Sequence, residues 1–425
     1  MRTRKSSVGF TVVLAIFVAS FFITGMRVVA QTETALYSFG GLLDSNGSSP
    51  QAALVRDAAG NFYGTTLYGG SHSFEGELGW GTVFELSPTT DGGWTESVLH
   101  SFNYDGVDGV QPESALVLDA AGNLYGTTYG GGAHDYGTVF ELSPMARGGW
   151  SETILHSFNN PGDGYTPVAG VTLDSAGTLY GTTVEGGRYN SGTVFELSPT
   201  AGGVWTEKIL HHFGYNADGE EPFGGVTLDA AGNIYGTTNG GGAYNAGTVY
   251  EIIRKTGTEK VLHSFNITGE GHYPGAWVIL DAAGNVYGTT SVGGETQNCG
   301  TQRCPEAAGT VFELTQKTGD WSVKVLHTFL SNGKDGYAPE AGLVFDTAGN
   351  LYGTTSGGGP NNFGTVFELT PSAGGGWTET LLYSWGDNTS DNEPQAGLIL
   401  DSAGNLYGTT PGDSSGYGAV FEVTP

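Results

Sequence analysis

The sequence predicts an all-β fold: a seven-bladed β-propeller with four antiparallel strands per blade and a ring closed by the N-terminal strand. Two observations lead to this prediction, a tandem repeat and a repeat that is split between the two ends of the chain. The motif Tyr-Gly-Thr-Thr occurs seven times, with successive spacings of 62, 55, 55, 52, 65 and 55 residues. A period of this size with strand-like content is typical of propeller blades. The motif begins at Tyr63, Tyr125, Tyr180, Tyr235, Tyr287, Tyr352 and Tyr407.

The four strands of a blade are most easily recognised in the second repeat. We name them a, b, c and d, counting outward from the axis, and expect them at Ala115–Asp119, Asn123–Thr128, Gly137–Ser143 and Trp150–Phe158. Apolar and polar residues alternate along strand c, as in a half-buried strand. Between strands a and b, Asp-Ala-Ala-Gly-Asn suits a type I turn whose glycine adopts a positive φ. The repeats extend over residues 50–102, 112–158, 167–213, 222–265, 274–329, 339–385 and 394–425, the last completed by residues 32–39.

The seventh repeat is divided between the two ends of the chain. Thr32–Phe39 matches Thr378–Trp385, which is a d strand, whereas the last repeat stops at its c strand. We therefore expect residues 32–39 to pair with residues 418–424 and close the ring. Closure protects two strand edges that would otherwise invite aggregation.

Residues 1–30 have the pattern of a signal peptide. Arg2, Arg4 and Lys5 precede an uncharged, largely apolar run, and Val28-Val29-Ala30 suggests cleavage before Gln31. The alternative is an uncleaved membrane anchor, because the run is long enough to span a bilayer. Both interpretations place residues 31–425, expected to form a single domain, outside the cytoplasm, in the periplasm or the extracellular medium.

Composition excludes some partners. Asp and Glu total 43 against 15 Lys and Arg, for a net charge of −28. This surface repels phosphate backbones, so we expect no nucleic-acid binding. We also expect a monomer without a membrane span in the mature chain. Cys299 and Cys304 favour a disulfide in an exported protein, and a metal site there would need ligands that stand at no recognisable spacing.

Loop lengths indicate which end of the ring carries function. In an antiparallel a-b-c-d blade, the a–b and c–d turns lie on one face and the b–c and d–a loops on the other. The b–c loops have 14, 8, 8, 8, 18, 8 and 7 residues, whereas the other set is short and uniform. Variable loops on a rigid scaffold usually carry function, so we assign it to the b–c/d–a face.

Acidic turns precede a proline in the d–a loops. Asp108, Asp163, Asp218 and Asp335 each stand in an Asp-Gly pair before this proline. They could ring the channel mouth and bind Ca²⁺ or sugar hydroxyls. The alternative is that Asp-Gly is turn chemistry and that the proline begins strand a. The EF-hand pattern is absent because no Glu closes the loop, so we predict neither a metal site nor a cofactor.

The b–c loops carry aromatic residues beside amides and acids. Rings flanked by hydrogen-bonding groups suit carbohydrate, and the alternative is that the rings pack between neighbouring loops. The aromatic candidates for ligand binding are Tyr136, Tyr189, Tyr244, Phe363 and Tyr417.

The remaining polar residues recur too regularly to form a catalytic site. A Glu occupies the same position in strand c of all seven repeats, which indicates a hydrogen bond between strands. A His recurs in strand d, but Tyr37 and Tyr383 replace it twice, which argues against a base or a ligand. Esterase, zinc-protease and phosphate-loop motifs are also absent, so no catalytic residue is predicted.

The repeat resembles the GloVer tandem repeat of exported bacterial "choice-of-anchor" proteins. The resemblance rests on Asp-Ala-Ala-Gly-Asn-Leu-Tyr-Gly-Thr-Thr, Gly-Thr-Val-Phe-Glu-Leu and Leu-His-Ser-Phe and covers nearly all of residues 32–425. It implies an exported protein, often held at the cell surface by a C-terminal anchor. No sorting tail follows Pro425 here, so we expect release rather than anchoring. The family offers no catalytic residues to transfer.

The leading hypothesis is a non-catalytic binding module for polysaccharide, or for another extracellular ligand such as a cell-surface protein. A second hypothesis is a secreted carbohydrate-active lyase or hydrolase on the same face. Its residues would lie in the two unusual b–c loops, Leu67–Trp80 with His72, Glu75 and Glu77, and Ser291–Ala308. A third is a structural adhesin or envelope scaffold.

Overall fold

The computed structural model describes residues 32–41, 45–72, 78–159, 162–215, 217–294, 307–386, 392–412 and 417–425. The predicted signal peptide, both cysteines, Glu75 and Glu77 lie outside these ranges. No helix of the described residues is long and apolar enough to cross a membrane.

The described residues form seven four-stranded antiparallel sheets, which confirms the predicted seven-bladed propeller. The a strands are Val55–Arg56, Val117–Leu118, Thr172–Leu173, Thr227–Leu228, Ile279–Leu280, Val344–Phe345 and Ile399–Leu400, in blades 1 to 7. The b strands are Phe62–Thr66, Leu124–Thr128, Leu179–Thr183, Ile234–Thr238, Val286–Thr290, Leu351–Thr355 and Leu406–Thr410. The c strands are Thr82–Pro88, Thr138–Pro144, Thr193–Pro199, Thr248–Ile253, Ala307–Lys317, Thr365–Pro371 and Ala419–Thr424. The d strands are Trp94–Ser101, Trp150–Ser157, Trp205–His212, Thr258–Ser264, Asp320–Leu330, Trp377–Ser384 and Thr32–Ser38.

Two further pairs of short strands join d–a loops to b–c loops. Gly109–Val110 pairs with Gly130–Gly131, and Gly336–Tyr337 pairs with Gly357–Gly358. Single bridges such as Tyr165 to Glu185 occupy the equivalent place in other blades. The loops of the b–c/d–a face are therefore held to one another by backbone hydrogen bonds.

The N-terminal strand closes the ring, as the sequence predicts. Thr32–Ser38 is antiparallel to Ala419–Thr424, with Thr32 opposite Thr424 and Ser38 opposite Ala419. Phe39 continues the contact, because its N–H donates to the carbonyl of Gly418 at 2.9 Å. Blade 7 is thus built from both ends of the described chain.

Aromatic pairs hold each blade to the next. The ring that ends strand d of one blade meets a strand c ring of the following blade edge-to-face, at centroid separations of 5.0 to 5.3 Å. Such pairs stabilise a protein beyond the area that they bury. The pairs are Phe39–Phe84, Phe102–Phe140, Phe158–Phe195, Phe213–Tyr250, Phe265–Phe312, Phe329–Phe367 and Trp385–Phe421.

The glycine of Tyr-Gly-Thr-Thr is required by this packing. A Cβ on Gly126 would lie 2.7 Å from Phe140 Cζ and 2.8 Å from Leu116 Cδ2. Only glycine lets strand b approach the aromatic ring of strand c so closely. The tyrosine before it anchors the a–b turn, since Tyr125 Oη donates to Asp119 Oδ2 at 3.2 Å. Tyr125 Oη also lies 3.5 Å from Glu141 Oε1, and the recurrent Glu accepts the equivalent hydrogen bond between strands in five other blades, as expected. In blade 3, Glu196 accepts from Ser198 of its own strand.

Strand a is shorter than the sequence predicts. The second repeat was expected to contain a strand from Ala115 to Asp119, but only Val117–Leu118 pairs with strand b. The preceding residues leave the sheet because the neighbouring blade binds their backbone: Thr65 Oγ1 donates to the carbonyl of Ser114 at 3.0 Å. This departure creates the surface described next.

Candidate functional site

A pocket of about 160 Å³ lies on the axis of the ring and is lined from all seven blades. Its walls are seven equivalent three-residue segments, each following the proline of a d–a loop and preceding strand a. The pocket therefore lies at the b–c/d–a end of the channel, on the face that loop lengths indicate. The segments are residues 51–53, 113–115, 168–170, 223–225, 275–277, 340–342 and 395–397.

The first threonine of each Tyr-Gly-Thr-Thr fixes the neighbouring segment. Its hydroxyl donates to the backbone carbonyl of the second residue in the segment of the next blade, at 2.7 to 3.0 Å. The most repeated motif of the chain thus positions the pocket wall. The pairs are Thr65–Ser114, Thr127–Ala169, Thr182–Gly224, Thr237–Ala276, Thr289–Ala341, Thr354–Ala396 and Thr409–Ala52.

The residue before each proline adopts a left-handed backbone conformation. The φ values lie between 53° and 61°, although none of these residues is glycine. Each N–H donates to a carbonyl of the preceding blade's b–c loop, as from Thr166 to Tyr136 at 3.1 Å. A strained backbone persists only where its surroundings enforce it, and such residues cluster at functional sites. The residues are Ser49, Gln111, Thr166, Glu221, Tyr273, Ala338 and Glu393.

The first residue of each segment breaks the symmetry of the repeat. In blades 6, 7, 1 and 2, which are consecutive around the closed ring, this residue is polar; in blades 3 to 5 it is apolar or glycine. The pocket therefore has a polar arc facing an apolar arc. The polar residues are Glu340, Gln395, Gln51 and Glu113, and the others are Val168, Phe223 and Gly275.

The two carboxylates of the polar arc hold their protons more tightly than usual. Burial raises the pKa of Glu113 above its ordinary value. The pKa of Glu340 is also raised, chiefly by desolvation, although its side chain remains reachable by solvent at the channel mouth. Carboxyl oxygens accept hydrogen bonds, and the neighbouring amides of Gln51 and Gln395 both donate and accept them. The arc can therefore bind hydroxyl groups in either sense.

Trp277 forms the floor of the pocket. The other six blades carry only Ala or Gly at this third position of the segment, for example Ala53, Gly342 and Gly397. Trp277 also borders a second, more apolar cavity of about 350 Å³, lined by strand a residues of blades 2 to 5. Trp277 therefore lines both cavities. Sequence analysis missed Trp277, but one large residue among six small equivalents could have indicated it.

The predicted loop aromatics differ in how they pack. Tyr136 is half-buried with its ring 5.2 Å from Tyr165, and Tyr189 stacks on Tyr215 at 5.4 Å. Tyr136 and Tyr189 therefore fit the alternative interpretation, in which the rings pack between neighbouring loops. Tyr244, in contrast, is 64% exposed.

Phe363 and Tyr417 support the pocket rim through their backbones. The carbonyl of Phe363 accepts from Glu393 N at 3.0 Å, and that of Tyr417 accepts from Ser49 N at 2.8 Å. The ring of Phe363 packs against the core between blades 6 and 7, whereas Tyr417 is partly exposed. Neither side chain lines the axial pocket.

The acidic turns meet the histidines of strand d instead of lining the pocket. His100 Nε2 lies 3.1 Å from Asp108 Oδ2, and the equivalent distances for Asp163 and Asp218 are both 3.0 Å. His327 Nε2 lies 3.4 Å from Asp335 Oδ2. The sequence contained part of this relation: in five repeats a strand d His precedes a turn with Asp or Glu, and Tyr37 precedes Asn46, although Tyr383 precedes Asp391.

A glutamate from strand d of the following blade completes three of these groups. They are His100–Asp108–Glu152, His156–Asp163–Glu207 and His327–Asp335–Glu379. Burial, reinforced by the neighbouring aspartate, raises the pKa of Glu152 and of Glu207 to about 9. The same causes raise the pKa of Glu379 to about 7. These residues join consecutive blades near their outer strands.

The two unusual b–c loops are only partly described. His72 is exposed, with Nδ1 3.2 Å from the carbonyl of Ser101, and residues 73–77 lie outside the described ranges. Most of Ser291–Ala308, including Cys299 and Cys304, also lies outside them. The disulfide between Cys299 and Cys304 remains a prediction, and so does a catalytic site in these two loops.

Several solved propeller structures are similar to this chain. The extracellular domain of a hybrid two component system from B. thetaiotaomicron matches with a TM-score of 0.51 at 13% identity, covering 93% of this chain and 41% of that one. The chain thus spans about two fifths of that structure. The periplasmic gluconolactonase of Pseudomonas aeruginosa matches at 14% identity and a TM-score of 0.47, covering 80% of this chain and 90% of that one. Identities this low show the fold alone.

A comparison with curated proteins gave no match. The family model of the Gloeobacter/Verrucomicrobia repeat, in contrast, matches residues 70–303 and 301–425, in agreement with the resemblance seen in the repeat motif. The chain therefore belongs to the Gloeobacter/Verrucomicrobia repeat family.

Proposed function

We propose that this protein is an exported, non-catalytic binding module that holds a hydroxyl-rich ligand, a polysaccharide, on its b–c/d–a face. The observation that carries the proposal is the axial pocket, where a repeated scaffold presents residues that do not repeat. Four polar side chains occupy one side of the mouth and Phe223 the other, above the indole of Trp277. Sugars offer both hydroxyl groups and apolar ring faces, so a pocket with a polar and an aromatic side suits them.

The size of the pocket suggests which part of the polymer it would hold. Its volume of about 160 Å³ is well below the roughly 300–1,000 Å³ of sites for drug-sized ligands. It suits one sugar ring rather than a length of chain. The terminal residue of a polysaccharide would therefore occupy the axis, while the rest of the chain would leave across the loops.

Exposed aromatic rings offer a path for the rest of the chain. The apolar arc of the pocket belongs to blades 3 to 5, and the loops of blades 3 and 4 carry the stacked pair Tyr189–Tyr215 and the exposed Tyr244. Phe223, itself 41% exposed, lines the pocket and follows Tyr215 by eight residues in the sequence. A sugar chain could follow these rings outward, since each stacking contact adds to the affinity without demanding one sugar sequence.

The test uses the purified mature protein and a panel of bacterial and plant polysaccharides. Retention of the protein and release of shorter sugars would be scored together. At least one polysaccharide should retain the protein, and combined replacement of Phe223 and Gln395 by alanine should weaken retention at least about tenfold, a loss of about 1.4 kcal/mol. Val204→Ala is the matched control, because Val204 is 65% exposed in a c–d turn on the opposite face. The proposal fails if no polysaccharide is retained or if the double variant binds like the wild type.

One observation favours the second hypothesis, a lyase or hydrolase. Glu113 and Glu340 share one pocket and both have raised pKa values, a property common among catalytic carboxylates. Release of short sugars that Glu113→Gln or Glu340→Gln abolishes, with retention unchanged, would establish an enzyme. Capture of a cell-surface protein without any glycan retention would favour the adhesin or scaffold.

A further inference from the structure

The interface between blades 5 and 6 contains a cluster with the composition of a metal site. His327 lies in strand d of blade 5, Asp335 in the following d–a loop, and Glu379 in strand d of blade 6. One ligand atom from each residue lies within 4.8 Å of the other two. The cluster is separate from the axial pocket, whose lining contains none of the three residues.

One polar atom of each residue in this cluster is buried without a hydrogen bond. These atoms are His327 Nε2, Asp335 Oδ1 and Glu379 Oε1, and Asp335 as a whole is only 8% exposed. His327 Nε2 lies within ion-pair distance of Asp335 Oδ2 without a hydrogen bond between them. A buried polar atom without a hydrogen bond destabilises the folded state, so three in one place require an explanation. A bound cation would satisfy all three at once.

The equivalent interfaces provide an internal comparison. At blades 1 and 2 and at blades 2 and 3, the histidine Nε2 lies 3.1 Å and 3.0 Å from its aspartate and is hydrogen-bonded to it. All three clusters contain one aspartate oxygen and one glutamate oxygen that are buried without a hydrogen bond. Within the described part of the chain, only the cluster at blades 5 and 6 has a histidine Nε2 that also lacks one, at 3.4 Å from Asp335 Oδ2. The histidine is therefore hydrogen-bonded to its aspartate in two closed clusters and not in this open one, whereas the carboxylates are alike in all three.

We propose that His327, Asp335 and Glu379 bind one divalent transition-metal ion, with zinc as the best fit. One imidazole nitrogen and two carboxylate oxygens form a ligand set that suits zinc, and a water molecule would complete the tetrahedron. With ligand distances of about 2.1 Å, neighbouring ligands of a tetrahedral zinc lie about 3.4 Å apart. The distance from His327 Nε2 to Asp335 Oδ2 is 3.4 Å, which equals this ligand separation. The equivalent distances at blades 1 and 2 and at blades 2 and 3 are 3.1 Å and 3.0 Å.

Neighbouring groups hold two of the ligands in place. Asp335 Oδ2 accepts a hydrogen bond from Leu330 N at 3.0 Å, and Asp335 N donates to Asn332 Oδ1 at 2.9 Å. The ring of His327 packs edge-to-face on Phe329 at 4.7 Å. Such outer contacts orient ligands before the metal arrives. The ion would link two blades, so its role would be structural.

The competing explanation is a proton shared between Asp335 and Glu379. A metal measurement on the untagged protein separates the two. The protein would be stripped with a chelator, incubated with excess zinc, separated by gel filtration and analysed for zinc by mass spectrometry. About one zinc ion per chain is expected, with a rise in the melting temperature on zinc addition.

Two variants should lose this ion. Glu379→Gln removes a charged ligand at nearly constant shape, and His327→Tyr introduces the residue that Tyr37 and Tyr383 provide at the same position elsewhere. Both should bind less than about one tenth of the wild-type zinc and lose the thermal shift, with unchanged circular dichroism. Glu207→Gln, in the closed cluster of blades 2 and 3, should still bind about one zinc ion per chain. Absence of zinc from the stripped and reloaded wild type, or its retention by both variants, would overturn the proposal.

Discussion

Trp277 occupies the space that a side chain at Gly342 would need. A Cβ built on Gly342 would overlap the Nε1 and Cδ1 atoms of the indole, so the tryptophan of blade 5 lies against the backbone of the neighbouring blade 6. Gly225 and Gly397, at the same position in blades 4 and 7, face other atoms of the ring. The glycines at this position therefore leave the space that the indole of Trp277 occupies.

Gly342→Ala should displace Trp277, because two ring atoms cannot share the position of the new methyl group. We expect a changed near-ultraviolet circular dichroism spectrum and altered tryptophan fluorescence, with the far-ultraviolet spectrum unchanged. Gly397→Ala is the matched control, since its Cβ would lie 3.7 Å from Trp277 Cζ2, an ordinary van der Waals contact. Identical near-ultraviolet spectra for both variants would show that the indole does not lie on Gly342.

The fold could be predicted from the sequence because the same pattern of four strands recurs along the chain. Strand order, the paired faces and the closing role of Thr32–Ser38 all follow from aligning the repeats with one another. Strand a was predicted too long because the apolar pattern continues to Ala115. The hydroxyl group of Thr65, in the preceding blade, binds the backbone of Ser114 and shortens the strand. No local sequence pattern reveals this contact.

The candidate site was harder to predict because it depends on residues that do not recur. Sequence reasoning concentrated on repeated Asp and loop aromatic residues, whereas the axial pocket is distinguished by Glu113, Glu340, Phe223 and Trp277. Its polar arc also requires ring closure, which makes blades 7 and 1 neighbours. The pairing of His100 with Asp108 was visible only as two separate patterns, since the sequence does not show that the d–a loop folds back on strand d.

Removal of the closing strand should expose the edge of Ala419–Thr424. A protein that begins after Phe39 would lose the ladder to residues 419–424 and the ring contact between Phe39 and Phe84. Because unpaired edges associate with one another, we expect oligomers by gel filtration and a lower melting temperature.

A peptide with the sequence of residues 32–39 should restore the monomer when added to this truncated protein, because it can occupy the vacant edge. A scrambled peptide of the same composition is the control. A truncated protein that remains monomeric with the wild-type melting temperature would show that the N-terminal strand contributes nothing to closure.

Tyr136 and Tyr244 should respond differently to replacement by alanine. Tyr136 is half-buried against the core between blades 2 and 3 and packs on Tyr165, so Tyr136→Ala should lower the free energy of unfolding by at least about 1 kcal/mol. Tyr244 is 64% exposed, and Tyr244→Ala should change it by less than about 0.5 kcal/mol. Denaturant titration measures both values. If Tyr244 contacts the ligand, its replacement should weaken polysaccharide retention without any loss of stability; equal stability losses in the two variants would contradict this division.

Stability should fall as the pH rises through the range in which Glu259 titrates. Burial raises its pKa from 4.5 to about 7, partly offset by His211 and reinforced by Asp218. The folded state thus favours the protonated carboxyl, so its contribution is complete below about pH 4.5 and is lost as the pH approaches 7. Glu259→Gln removes this titration, and its melting temperature should decrease less than that of the wild type between pH 4.5 and 7. Thr258→Ala, an exposed change in the same strand, should keep the wild-type slope. Parallel curves for the wild type and Glu259→Gln would mean that folding does not raise the pKa of Glu259.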